Sequence, residues 1–345
     1  MARQILNTLY VMTPNAYVHL ENDTLRIDVE RIKKLQVPLH HLGSVVCFGN
    51  IMLSPALMHR CADEGISLVL LDGNGRFKAR LEGPVSGNVL LRQAQHDKTS
   101  DGNFSLDAAK SFIAGKLRNS RQVLMRGARE AKDNADRQVL ENAAGTLAGS
   151  IGNLSHAPDL DSIRGMEGDA AKIYFSALTS LVRWDARDDF SMAGRTRRPP
   201  RDRFNALISF IYSMVMNDCR SALESVGLDP QLGFLHAVRP GRAALALDLM
   251  EEFRAVLADR LALTLINRGQ ISSTDFAERE GGAVLLDGEA RRAVVVAYQE
   301  RKQEEITHPL LKMRMTIGLL PQIQARLMAR TIRGEMEIYI PFLVK

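Results

Sequence analysis

The sequence predicts an α+β chain of two domains: a small β-rich domain over residues 1–85 and a larger all-α domain over residues 86–345. Three observations predict it. Short segments rich in β-branched and aromatic residues, parted by turn residues, fill roughly the first 80 positions. Gly83-Pro84 and Gly87 then punctuate the chain. From about Leu90 onward the apolar spacing changes from a period near two to one near 3.6.

Residues 6–11, 16–20 and 25–29 read as strands, with Thr13-Pro14-Asn15 and Glu21-Asn22-Asp23 as the turns between them. Residues 37–42 and 44–48 continue the pattern. Ser54-Pro55 opens a short helix over 54–63, because serine caps a helix start and proline fits its first turn. Residues 66–71 read as a buried strand, and Gly73-Asn74-Gly75 as a hairpin turn leading to a strand over 77–81. Helices are expected over 106–129, 133–147, 159–182, 204–226, 242–266 and 291–301; Leu207, Phe210, Ile211 and Met214 illustrate the apolar stripe. A short hairpin is expected near 284–287, and the charged segment 195–203 and the Gly-rich segment 281–288 read as mobile loops.

The bulk numbers narrow the function. The chain has 345 residues, a formal net charge of +5 and a pI near 9.2, which is mildly favourable for a polyanionic partner. No apolar run approaches the roughly 20 residues of a membrane span, and the first residues lack a signal-peptide core, so a cytoplasmic location is expected. Cys47, Cys61 and Cys219 are far apart, which argues against a thiolate metal site and suits small buried residues in a reducing compartment. Five arginines, Arg195, Arg197, Arg198, Arg201 and Arg203, fall within nine residues around Pro199-Pro200. They read either as a solvated loop or as a mobile basic loop that grips phosphates.

Three groups are candidates for a hard divalent metal. Glu167, in Arg164-Gly165-Met166-Glu167-Gly168, lies in line with Ala171, Tyr174 and Leu178 on an apolar stripe, where a carboxylate must be paired, hydrogen-bonded or metal-bound. Its plain alternative is a partner for Arg164 or Lys172. His236 follows Gly233-Phe234-Leu235 and precedes Pro240-Gly241, a break that lets the next helix fold back towards it. Its plain alternative is a packed core histidine. Asp248 and Glu251 are neighbours one turn apart on that next helix, so something positive should stand near them: Arg239, Arg242, Arg254 or a metal. Their plain alternative is a solvated acidic face. Two carboxylates and one imidazole would suit Mg²⁺ or Mn²⁺ and leave positions for phosphate and water. Tyr174 and Tyr212 are more readily core residues than a general base. His40-His41 reads as a sheet or dimer-interface feature.

At these same residues the sequence resembles the CRISPR-associated integrase-endonuclease family. The resemblance spans essentially the whole chain. It is carried by Val37-Pro38-Leu39-His40-His41-Leu42, Val46-Cys47-Phe48-Gly49-Asn50, Leu81-Glu82-Gly83-Pro84-Val85-Ser86-Gly87-Asn88, the Glu167 motif, Phe204-Asn205-Ala206-Leu207, Gly227-Leu228-Asp229-Pro230 with Gly233-Phe234-Leu235-His236, and Asp248-Leu249-Met250-Glu251-Glu252-Phe253-Arg254. It implies a dimerising β-sandwich-like domain before a helical catalytic domain. It implies Mg²⁺ or Mn²⁺ on Glu167, His236 and Glu251, with Asp248 as auxiliary acid and Asn205 and Arg239 as polar catalytic neighbours. The expected activity is antiviral spacer acquisition: joining the 3′-hydroxyl ends of captured double-stranded DNA to a CRISPR repeat, and cleaving DNA. Expected partners are a second copy and a dimer of the small companion adaptation protein, in a type I system. DNA backbone contacts are expected from Arg195, Arg197, Arg198, Arg201, Arg203 and Arg242. The rival readings are a non-catalytic DNA-binding scaffold and a metal-dependent hydrolase of small phosphoesters.

Overall fold

A computed structural model describes residues 7–75, 77–83 and 89–344. It divides into two units, Met1–Gly87 and Asn88–Lys345. Residues 84–88, which carry the expected boundary at 85/86 and part of the Leu81-to-Asn88 motif, lie outside the described residues, as does Leu6.

The first unit contains β1 (Asn7–Val11), β2 (Tyr17–Glu21), β3 (Thr24–Val29), β4 (Ile32–Pro38), β5 (Leu42–Phe48), β6 (Met52–Leu53), helix α1 (Pro55–Asp63), β7 (Ser67–Leu71) and β8 (Phe77–Leu81). One four-stranded sheet has the order β1-β5-β7-β8, with β8 antiparallel to its neighbour and the other pairs parallel. The other has the order β4-β3-β2-β6, antiparallel except for β2 with β6. Val18, Leu25 and Ile27 of one sheet share a core with Val45, Cys47 and Leu68 of the other and with Leu57 and Cys61 of α1. The Ser54 hydroxyl accepts from Leu57 N at 3.2 Å, and Pro55 opens α1. All three cysteines are buried, and burial pushes the Cys47 thiol up to about 12 and the Cys61 thiol to about 11.

The expectation of a strand over 37–42 is displaced. The strand is β4, five residues earlier at its start, and Leu39–His41 form a 3₁₀ turn that leaves both histidines exposed. Most of β4 is exposed at a sheet edge, so no apolar alternation marks it; backbone pairing with β3 holds it, across a turn in which Glu30 and Arg31 take φ of +52° and +66°.

The second unit holds α2 (Val89–Ser100), α3 (Gly102–Glu130), α4 (Asn134–Leu154), α5 (Leu160–Leu178), α6 (Arg203–Ser225), α7 (Ala244–Met250), α8 (Arg260–Asn267), α9 (Gly288–Gln303) and α10 (Leu320–Ile332). It is helical but not all-α. Two hairpins interrupt it: β9 (Phe276–Arg279) with β10 (Ala283–Leu286), and β11 (Glu305–Thr307) with β12 (Arg314–Thr316). Aspartates cap α3, α5, α6 and α9 through their side chains, at Asp101, Asp159, Asp202 and Asp287. The expected hairpin near 284–287 is the β9–β10 pair, and Asp287 is the cap that starts α9.

The single helix expected over 242–266 is broken. α7 ends at Met250, residues 251–253 form a tight turn, and Arg254–Asp259 are wound in the wider π manner before α8. Asn119 of α3 takes the Glu252 carbonyl at 2.8 Å, an acceptor that a continuous ladder would use. The irregular winding lets Asp248, Glu251, Glu252, Arg254 and Asp259 each reach a different partner, although all five are buried.

Candidate active site

Four segments bring the site together: the middle of α3, the first half of α5, the 233–236 connection and α7 with the turn after it. The connection is clasped from below. Asp248, wholly buried, accepts from Phe234 N at 2.7 Å and Leu235 N at 3.0 Å through Oδ2. Its Oδ1 accepts from His236 N at 3.0 Å and from the imidazole Nδ1 at 2.6 Å. A carboxylate partner at that distance makes Nδ1 the donor, so the Nε2 lone pair faces out. Nε2 stands 3.9 Å from Glu251 Oε1. Gly233 is required here by space: a Cβ would lie 2.6 Å from the Ala244 carbonyl carbon and 2.7 Å from Asp248 Oδ2.

Glu251 Oε2 accepts from Arg254 Nε at 2.9 Å and meets the Lys116 ammonium at 2.9 Å. Burial alone would raise its carboxyl, but Arg254 and Lys116 outweigh burial and hold it well below the usual carboxylate range. Lys116 is ion-paired with Glu167 as well. The three residues expected to hold a metal are therefore brought to one place. Lys116 joins the two carboxylates, and the imidazole faces one of them. Neither Arg164 nor Lys172 takes Glu167: Arg164 instead donates to the Leu235 carbonyl at 2.7 and 2.9 Å, pinning the connection to α5. Among the described residues no three His, Cys, Asp or Glu groups form a ready-made metal cage.

Sequence reasoning missed Lys116. The signal that singled out Glu167 marks it too, a charged residue one turn from Phe112 and Ile113 on the buried face of α3. Asp259 was missed as well. It is buried, accepts from Tyr174 OH at 3.0 Å and Tyr212 OH at 2.7 Å, and is pushed up to about 6 by burial against those two hydrogen bonds. Both tyrosines are thus core residues. Burial and Asp259 raise their pKa values, which fits neither for general-base work.

The arginines separate into two groups. Arg195 turns inward. Its guanidinium donates to Asn205 Oδ1 at 2.7 Å and Ser209 Oγ at 3.0 Å, and lies 5.3 Å from the Tyr212 ring centre. Asn205 is buried and ties the loop to α6, donating to Gly194 O at 2.8 Å and Asp202 Oδ2 at 2.6 Å. These two residues hold the loop in place. Arg203 donates to the Asp189 carbonyl at 3.1 Å, and Arg201 reaches Gly281 O at 3.4 Å. Arg197, Arg198 and Arg239 are exposed. Arg242 is held below the usual arginine range by partial burial and then by Arg239, Arg164 and Arg198, against the attraction of Asp248. Arg239, Arg164 and Arg198, from three segments, therefore lie within electrostatic reach of Arg242.

A β-rich unit followed by a helical one, with carboxylates and one imidazole meeting beside clustered arginines, has the parts of a nuclease. A model of the family described as CRISPR associated protein Cas1 matches residues 9–300. The chain is 55% identical over 341 residues to the CRISPR-associated endonuclease Cas1 of Moorella thermoacetica, covering 99% of each. Among solved structures it is similar to a casposase bound to integration product (TM-score 0.81, 21% identity, 97% of this chain and 93% of that one). It is also similar to a chain of a Cas6-RT-Cas1–Cas2 complex (TM-score 0.83, 23% identity), covering 99% of this chain and 36% of that longer one. The chain belongs to the Cas1 family, the endonuclease-integrases of CRISPR adaptation. No helix among the described residues is long and apolar enough to cross a membrane.

Proposed function

We propose that the helical unit is a metal-dependent catalytic domain in which Glu167, His236 and Glu251 hold one Mg²⁺ or Mn²⁺ ion. One observation carries the reading: Glu167 and Glu251 already share a cation, the Lys116 ammonium, and the free Nε2 of His236 faces Glu251 at 3.9 Å. The residues fit such an ion. Two hard oxygen donors and a neutral imidazole converge, and the carboxylates need a positive partner where they stand. When bound, the ion supplies Lewis acidity to a phosphoryl oxygen.

The chain's own residues do the rest. Asp248 fixes the His236 ring and tautomer, an outer-shell role rather than that of a second acid. Arg254 keeps Glu251 ionised. Arg239 and Arg242 clamp the target phosphate in this reading, with Arg197 and Arg198 following the DNA backbone. In the reaction, the 3′-hydroxyl oxygen of a captured fragment bonds to phosphorus at the repeat edge. The bond from that phosphorus to the leaving 3′ oxygen breaks, and the proton passes from the attacking to the leaving oxygen. With water as nucleophile the same exchange is cleavage.

The two-sheet unit is read as a β-sandwich-like dimerisation module. Double-stranded DNA and a Cas2-type companion dimer are the partners. The relatives described as an integration-product complex and a Cas1–Cas2 complex support this reading. Glu167→Ala tests the function. Joining and cleavage of DNA should fall to background while DNA affinity stays or rises, and retained activity would refute it.

A further inference from the structure

Lys116 lies in the middle of α3 with its side chain only 10% exposed. A lysine so enclosed must be paired, and it is paired twice, with Glu167 of α5 and with Glu251. Among the described residues, Lys116 is the side-chain cation that Glu167 meets. Glu251 is differently placed. Its Oε2 is taken by Lys116 and Arg254 together, and its Oε1 is left on the His236 side. Lys116 thus draws Glu167 towards one oxygen of Glu251, while the imidazole lone pair looks at the other. A divalent ion on the same carboxylates would sit against the ammonium, and like charges in an enclosed site repel strongly. The ammonium and the ion compete for the same ligands.

Resting on the metal-site reading above, we propose that Lys116 is a displaceable internal counter-ion. It holds Glu167 and Glu251 together before metal enters, and it sets the metal affinity because the ion must evict it. Arg254 is not the competitor, since among the described residues Glu251 is the one proposed metal ligand it pairs with, whereas Lys116 bridges two. Lys116 is a positioning residue under this proposal: it acts through the carboxylates rather than on DNA.

Mn²⁺ binding to the full chain without DNA, measured by calorimetry and by the loss of the free-ion electron paramagnetic signal, tests this. Lys116→Met removes the charge and keeps the length. The Mn²⁺ Kd should fall about 10-fold or more, as expected when one opposing charge leaves a site. Mn²⁺ should also raise the melting temperature of the variant more than that of the wild type. Lys116→Arg keeps a cation and should bind within about 3-fold of wild type, the tolerance left for an altered reach. Adding Glu167→Gln to Lys116→Met should abolish the gain, which locates it at these carboxylates. Lys116→Gln serves the same comparison, with the same expected and refuting results, should the methionine variant unfold. Wild-type binding that a cooperatively folding Lys116→Met leaves unchanged or weakens overturns this proposal alone. Absence of Mn²⁺ uptake both with and without Lys116 overturns the metal reading and this proposal with it.

Discussion

Asp248→Asn is the most informative substitution outside the proposed metal ligands. The native carboxylate accepts four hydrogen bonds at 2.6–3.0 Å, three from the backbone of 234–236 and one from the His236 ring. Asparagine keeps one oxygen, so two of those donors face an amide that cannot accept from them. Hydrogen bonds to a charged acceptor contribute about 1.5–3 kcal/mol each, so a loss of about 3–6 kcal/mol is expected. That is a large part of the about 5–15 kcal/mol that holds a domain folded. The ring suffers as well. With an amide N–H opposite Nδ1, the favoured tautomer carries its proton on Nε2 and turns a donor, not a lone pair, towards Glu251. Metal affinity should drop about 10–100-fold, the usual result of losing an outer-shell partner. Urea unfolding measures the first effect and Mn²⁺ titration the second. A variant within about 1 kcal/mol of wild type, with unchanged Mn²⁺ affinity, would show that the clasp neither stabilises the connection nor sets the ring.

The remaining predictions concern the buried charges, the connection and the loop. Burial raises the Glu252 carboxyl to about 8, although Tyr339, Phe342 N and Gln324 all donate to it. A folded-state value above the ordinary 4.5 means the native state binds the extra proton, so stability should fall as pH rises from about 5 to 8, by up to about 1.4 kcal/mol per unit. Glu252→Gln should flatten that slope in denaturation curves taken across the range, and an unaltered slope would assign it to other groups. Gly233→Ala should cost about 1–3 kcal/mol and lower cleavage, since its methyl would strike Ala244 and the Asp248 carboxylate; thermal melts and a nicking assay report both. Replacing Arg197 and Arg198 by alanine should weaken DNA binding and reduce the salt dependence of log Kd by about one unit for each phosphate no longer neutralised. Arg195→Ala should instead lower stability, because its guanidinium is spent on Asn205, Ser209 and Tyr212. Equal salt slopes for the two sets of variants would refute that division.

Much of the candidate site was legible because charge on a buried helical face is expensive. Glu167 declared itself by falling in line with Tyr174 and Leu178, and Pro240-Gly241 announced the reversal that carries His236 back over Glu251. Lys116 obeyed the same rule on α3 but has no motif around it, and pairing 51 residues away leaves no local trace. The single helix expected over 242–266 was misread for a related reason. Period alone sees Leu249, Phe253 and Leu257 as one stripe, whereas Asn119, far away in the chain, takes the carbonyl that the ladder needed. The edge strand β4 was misplaced because an exposed strand lacks the alternation that marks a half-buried one.

Local chemistry in the chain was enough to determine the two-part α+β plan, the Ser54 helix cap, the buried thiols and the family. Each depends on residues near one another in sequence, or on motifs in a fixed order. Only the folded chain decided that Asp248 clasps the backbone of 234–236 together with the His236 ring. Only there does Arg195 turn inward while Arg197 and Arg198 stay exposed, and only there does a lysine stand between the two carboxylates. Those outcomes depend on which distant groups share one enclosed, low-dielectric space, and neither periodicity nor spacing carries that information.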